Sequence, residues 1–182
     1  MPSLASASLS GNTTDMDVLF YSDADLKEVL NSVHTIAMVG ASANPVRPSN
    51  FVMKYLQGKG FRIIPVNPGH PGEQLHGETT YASLDDIPDR FQMVDIFRPS
   101  DVIEPIMDNV IALAPGKGIS VVWMQLQIRN DAAALKGEQA GLKVIMNRCP
   151  KIEYARLHGE LGWGGINSGI ISSKRPKLVR RD

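Results

Sequence analysis

Five short runs, TIAMVG at 35–40, RIIPV at 62–66, MVDIF at 93–97, ISVVWMQ at 119–125 and KVIMN at 143–147, are apolar along nearly their whole length rather than at alternate positions. A strand that reads this way is covered on both faces, which is the condition of a parallel sheet held between helical layers. Parallel neighbours cannot be joined by a tight turn and need a crossover, usually helical. Helix-length sequence does lie between most of the runs. The chain is therefore predicted to be an α/β protein with right-handed crossovers and a doubly wound, mostly parallel five-stranded sheet with helices on both faces. The commonest order places the second run beside the first, then the third, fourth and fifth, so the topological switch falls between TIAMVG and MVDIF.

Punctuation supports the helices. Leu26, Val29, Leu30 and Val33 recur at helical spacing in DADLKEVLNSV, with Ser22 or Asp23 as cap. Ser49 is expected to cap NFVMKYLQGK, which Gly60 ends. Ser83 is expected to cap a short helical turn through Asp86, stopped by Pro88. DVIEPIMDNVIALA follows Ser100 as a helix with Pro105 near its first turn, Asn130 caps DAAALKGEQA, and KIEYARL follows Pro150.

With 182 residues there is room for one compact domain and not for two of full size. The domain is expected over 23–162, between a disordered N-terminal tail at 1–22 and a Gly-rich, basic C-terminal tail at 163–182. Nineteen basic against nineteen acidic residues leave no net charge to draw nucleic acid or an anionic membrane. The tail SKRPKLVRR is expected to be solvated. No apolar run approaches the ~20 residues of a membrane span. A lone cysteine, Cys149, excludes an internal disulfide framework and suits a reducing compartment, with the cytoplasm as the expected location.

Ligands of doubly wound folds bind outside the carboxyl ends of the strands. Those ends supply Gly40, Ala41 and Ser42, then Asn67 and Pro68, then Arg98, Gln125 and Cys149, while Arg47 and Pro48 join from the loop after the first strand. Backbone amides where GASANPVRPSN turns into a helix, together with the helix dipole, favour an anion. Arg47 and Arg98 could add charge-assisted hydrogen bonds to phosphate oxygens. NAD fits poorly. Ser42 and Pro45 stand where its fingerprint wants glycines, and the second strand ends in Val66-Asn67-Pro68 with no acid for the ribose hydroxyls. A ribose that carries phosphate is easier to accept, which leaves NADP and coenzyme A.

TIAMVGASANPVRPSNFVMKYLQGKGFRIIPVNPG, LHGETTYASLDDIP, VDIFRPSDVI and VVWMQLQIRNDAAALKGEQAGLKVIMNRCPKIE, in that order, resemble the CoA-binding protein family, small stand-alone Rossmann-like proteins similar to the CoA-binding domain of succinyl-CoA synthetase alpha subunits. The resemblance runs from about Thr35 to Leu157. It implies a CoA ligand, with Gly40, Ala41, Ser42 and Arg47 facing the phosphates, Asn67 and Pro68 at the adenosine end, Arg98 across the switch point, and Gln125 and Cys149 nearer the pantetheine. Two positions depart from the family's usual pattern. Gln127 stands where glycine usually follows WMQL, and Asn147 stands where aspartate usually precedes RC, which removes a negative charge from the rim.

Chemistry is harder to find than binding. His34, His70, His76 and His158 show no metal-ligand spacing and read as surface or turn residues. Asp95, inside MVDIF, reads as a hydrogen-bonded structural acid. Cys149 is the one nucleophile at the ligand edge, and Arg148 beside it would favour a thiolate able to exchange with the CoA thiol; the alternative is a small buried residue before Pro150. The sequence is thus read as a single-domain binder of coenzyme A or acyl-CoA, acting as carrier, sensor or partner subunit without catalytic residues or a metal. A homo-oligomer or protein partner stays open. The alternatives are an NADP-linked oxidoreductase and a ligand-gated interaction module.

Overall fold

The computed structural model describes residues 19–160 and two short strands, Ile166–Asn167 and Ile170–Ile171, which pair antiparallel. The remainder of both expected tails lies outside the described residues. Leu19 and Tyr21, counted with the tail in the sequence, pack onto the domain. Tyr21 Oη accepts from the Met146 amide at 2.8 Å, and Leu19 lies against the core.

In chain order the elements are α1 (Asp23–Ser32), β1 (Thr35–Val39), α2 (Pro48–Gly58), β2 (Arg62–Val66), β3 (Gln74–Leu75), β4 (Glu78–Thr79), β5 (Met93–Ile96), α3 (Ile103–Lys117), β6 (Val121–Met124), α4 (Asp131–Gln139), β7 (Lys143–Ile145) and α5 (Pro150–Leu157). All five apolar runs are strands of one parallel sheet in the order β2-β1-β5-β6-β7. The switch point falls between β1 and β5, as expected. Alternate strand residues feed two cores. Ala37, Ile64, Val94, Ile96 and Val122 pack with α3 and α4, while Ile36, Met38, Ile63, Met93 and Trp123 pack with α1, α2 and α5. Trp123 is wholly buried and its Nε1 donates to the Arg148 carbonyl at 2.8 Å, so the largest core side chain is not left with an unmet donor.

Several helix ends differ from expectation. Ser22 and Asn130 do cap α1 and α4, accepting from the amides of Asp25 and Ala133. Ser49 does not cap α2: the helix starts at Pro48, whose fixed φ suits the first helical position, and Arg47 flanks it without a side-chain cap. Ser49 is buried inside the first turn. At Ser83 no helix forms, because both its amide and its hydroxyl bond to Asp86 Oδ2, closing a tight polar turn instead. Pro105 sits in the first turn of α3, and the helix continues through Pro115 to Lys117. The loop after β2 carries a small hairpin, β3 with β4, that the apolar pattern did not announce.

Candidate functional site

The carboxyl ends of β1, β5 and β6 and the starts of α2 and α5 enclose an open cleft of about 800 Å3. Gly40, Ala41, Ser42, Arg47, Pro48, Asn67, Arg98, Gln125 and Cys149 all line it. Pro68 does not. It lines an adjoining apolar hollow of about 350 Å3 with Leu84, Val102 and Ile106, and Gly40 and Arg98 border both spaces. The two hollows therefore meet across the switch point.

Gly40 has a geometric cause as well as a place at the site. Its φ is +88°, and a Cβ there would stand 2.8 Å from the Phe97 carbonyl oxygen. The loop that follows distributes its amides unevenly. Gly40 and Ala41, expected to face an anion, both donate to the Val66 carbonyl, at 2.9 and 3.3 Å, and so tie β1 to β2. Asn44 donates to Ser42 Oγ and Val46 to Asn44 Oδ1. The amides of Ser42, Ala43 and Ser49 have no hydrogen-bond partner among the described residues. Of these, Ser42 and Ser49 line the cleft, so the donors left there for an anion are theirs, near the positive end of the α2 dipole.

Asn67 also has a holding task. Its Nδ2 donates to the Ala41 carbonyl at 2.7 Å and its Oδ1 accepts from the Gly69 amide at 2.9 Å. Asn50, unremarked in the sequence, does the same from the helix side: Nδ2 donates to the Ser42 carbonyl at 2.9 Å, and Oδ1 lies 3.1 Å from His76 Nε2. Two amide side chains therefore fix the carbonyls of the loop and leave its later amides outward.

The side chains of Arg47 and Arg98 line the cleft and carry no ion pair or hydrogen bond among the described residues. Uncommitted guanidinium groups beside uncommitted amides form a site for a multiply charged oxyanion. Lys151 adds a third cation. Its Nζ lies 5.1 Å from the Phe51 ring and 5.4 Å from the Tyr55 ring. Phe51, Leu126 and Ile152, among the most exposed large apolar side chains described, line the same cleft. Sequence reasoning missed these three and Lys151, since they lie on helix starts and a loop whose orientation depends on the tertiary fold.

Cys149 flanks the first turn of α5 and is buried. Burial pushes its thiol up, and Asp95 adds to this, against opposing hydrogen bonds from the Ile152 and Lys151 amides. The thiolate is not favoured, and Cys149 has the burial of the alternative reading, a small residue packed before Pro150. Arg148 does not offset this, because its guanidinium lies over the Tyr21 ring and bonds to the Leu19 and Asn147 carbonyls. Asp95 is fully buried in β5, and Gln125 Nε2 donates to both its oxygens, at 3.0 and 3.1 Å. Burial raises Asp95 to about 8, the Gln125 bond opposing. Among the described residues no group of three His, Cys, Asp or Glu could hold a metal ion.

Sheet order, switch-point cleft and an anion-ready helix start define a Rossmann-like α/β domain of the kind that seats nucleotides at its strand ends. The family described as CoA binding domain matches residues 34–155, and the chain belongs to it. A Bacillus subtilis (strain 168) relative, the uncharacterised protein YneT, is 33% identical over 135 residues, 74% of this chain and 95% of that protein. A hypothetical protein from Pyrococcus horikoshii OT3 is 39% identical with a TM-score of 0.70, over 76% of this chain and 94% of that one. The structure of cell-free ID.343 from Thermus thermophilus is 36% identical with a TM-score of 0.70, over 75% of this chain and 99% of its own. Among the described residues no helix is long and apolar enough to cross a membrane.

Proposed function

We propose that the protein binds coenzyme A or an acyl-CoA in this cleft, as a carrier, sensor or partner subunit in the cytoplasm. One observation carries the reading: Arg47 and Arg98, whose guanidinium groups have no partner among the described residues, border a cleft of about 800 Å3 that Ser42 and Ser49, with free amides, also line. That volume lies in the range of small-molecule sites. The diphosphate lies at the start of α2, between the two guanidinium groups. The adenine ring takes the apolar hollow beside Pro68, Leu84 and Ile106, and the pantetheine arm runs along Phe51, Leu126 and Ile152 toward Cys149. A non-catalytic role is supported by the two groups otherwise suited to proton or acyl transfer. Cys149 is a buried thiol with its ionisation suppressed, and Asp95 is engaged by Gln125.

Titration calorimetry with CoA, acetyl-CoA, NADP and NAD tests the assignment. CoA and acetyl-CoA should bind, and acetyl-CoA should be recovered intact from the complex. Binding of NADP without CoA would transfer the protein to the oxidoreductase reading.

A further inference from the structure

Asp95 is the one carboxyl in the described strands of the sheet that is fully buried, and its sole partner is a side chain that borders the ligand space. It shares a face with Met38 and Trp123, its register neighbours in β1 and β6. Gln125, two residues beyond Trp123, is 6% exposed, lines the cleft, and gives its Nε2 to both Asp95 oxygens. Gln125 Oε1 accepts no hydrogen bond from any described residue. Every buried side-chain oxygen or nitrogen among those residues does have a partner. Oε1 therefore keeps an opening, and the cleft is where Gln125 meets one. A carboxamide has a donor end and an acceptor end. A carboxylate behind the donor end turns the acceptor end toward the ligand.

We propose that Gln125 Oε1 accepts an amide N–H of the pantetheine arm, and that Asp95 is the positioning residue that keeps this acceptor facing the cleft. The inference rests on the CoA reading above and adds to it the group that distinguishes the arm from the nucleotide. Phe97, Leu126 and Ile128 line the same cleft and suit the aliphatic parts of such an arm.

The pair has a second arrangement one proton away. A neutral Asp95 donates its O–H to Oε1, and the amide then shows Nε2 to the cleft, which suits an acceptor and not an N–H donor. Burial raises Asp95 to about 8 against the Gln125 bond, so near neutral pH the free protein exchanges between this arrangement and the carboxylate one that the structure holds. A ligand that donates to Oε1 expels the proton. The other titratable or charged groups around the pair are Cys149, which lies within the field of Asp95, and Arg47, Arg98 and Lys151, which line the cleft. The second buried acid nearby, Glu153, is held by Arg156 and Arg148.

The test compares CoA with adenosine 3′,5′-bisphosphate, its nucleotide part without the arm. Calorimetric titrations use the full chain, Gln125→Met and Asp95→Asn. Gln125→Met should weaken CoA by about tenfold and leave the bisphosphate unchanged. In the unsubstituted protein at neutral pH, CoA should release a proton beyond those its phosphate loses, seen as a binding heat that varies more steeply with the ionisation enthalpy of the buffer than in Asp95→Asn. Asp95→Asn should abolish that excess release and leave the bisphosphate affinity unchanged. Equal weakening of both ligands, unchanged CoA affinity in Gln125→Met, or no excess proton release would overturn the proposal. If Gln125→Met fails to fold, Gln125→Ala takes its place, with the same loss expected for CoA and none for the bisphosphate. Absence of CoA binding to that protein refutes the reading of the cleft itself, and is distinguished because it appears before any substitution.

Discussion

Replacing Asp95 by asparagine should make the free protein progressively more stable than the parent as pH rises. In the unfolded chain an aspartate titrates at 3.8, whereas in the fold Asp95 is raised to about 8 by burial, the Gln125 hydrogen bond opposing. Between those values the native state holds a proton that the unfolded state has lost. Ionisation of the unfolded chain therefore draws the equilibrium toward unfolding: stability falls from the lower value upward and levels off above the upper one. This is the reverse of a salt-bridged aspartate, whose contribution is lost on acidification. At about 1.4 kcal/mol per pH unit, the loss between pH ~4 and pH ~7 is about 4 kcal/mol, a large part of the whole stability of a domain. Asparagine does not titrate, keeps the size, and can still bond to Gln125. Urea unfolding of both proteins across that range gives the difference in free energy at each pH, and the remaining carboxylates, which titrate alike in both, cancel. The gap should widen toward neutrality by about 4 kcal/mol. Parallel stability curves would show that Asp95 titrates normally in the fold, and the account of both its burial and its partner would fail.

Arg47→Ala and Arg98→Ala should each weaken CoA binding by about 1.5–3 kcal/mol, since each removes a charge-assisted bond to phosphate; calorimetric affinities unchanged in both would place the anion elsewhere. Gly40→Ala should cost at least about 1–2 kcal/mol in thermal or urea unfolding for its left-handed backbone alone, and more for the 2.8 Å approach to the Phe97 carbonyl. Cys149 should react slowly with iodoacetamide in the native protein and rapidly in denaturant, with CoA slowing it further; fast native labelling would contradict a buried, protonated thiol.

The sheet was legible because burial on both faces leaves a plain trace: Ile36, Met38, Ile63, Val94 and Trp123 need no polar alternation when helices cover both sides. Strand order was taken from the commonest arrangement of doubly wound sheets rather than from any residue. What depended on local competition was less legible. Ser49 and Ser83 both look like caps, yet Pro48 dictates the start of α2 and Asp86 takes the hydrogen bonds of Ser83. The β3 and β4 hairpin has strands of only two residues, and it is tied down by polar contacts with no sequence period, among them Gln74 to Thr79 and Arg62 to Glu78.

The candidate site divides along the same line. Residues placed by topology, such as Gly40, Arg98 and Gln125, could be named from strand ends alone. The direction of the loop amides could not, because it depends on the Val66 carbonyl of a neighbouring strand capturing Gly40 and Ala41. The two departures from the family pattern are instructive here, since they answer one another in space. Gln127 holds a φ of +66°, the conformation for which glycine is the usual residue, and its amide donates to Asn147 Oδ1 at 2.8 Å, while Asn147 itself has a φ of +52°. An aspartate at 147 could accept the same amide, so the loop does not need the charge. With asparagine there, the turn keeps its hydrogen bond without a charge, and Asn147 itself does not line the cleft. Of the pair only Gln127 reaches the cleft, and the strain there is the conformational cost of a side chain at that turn.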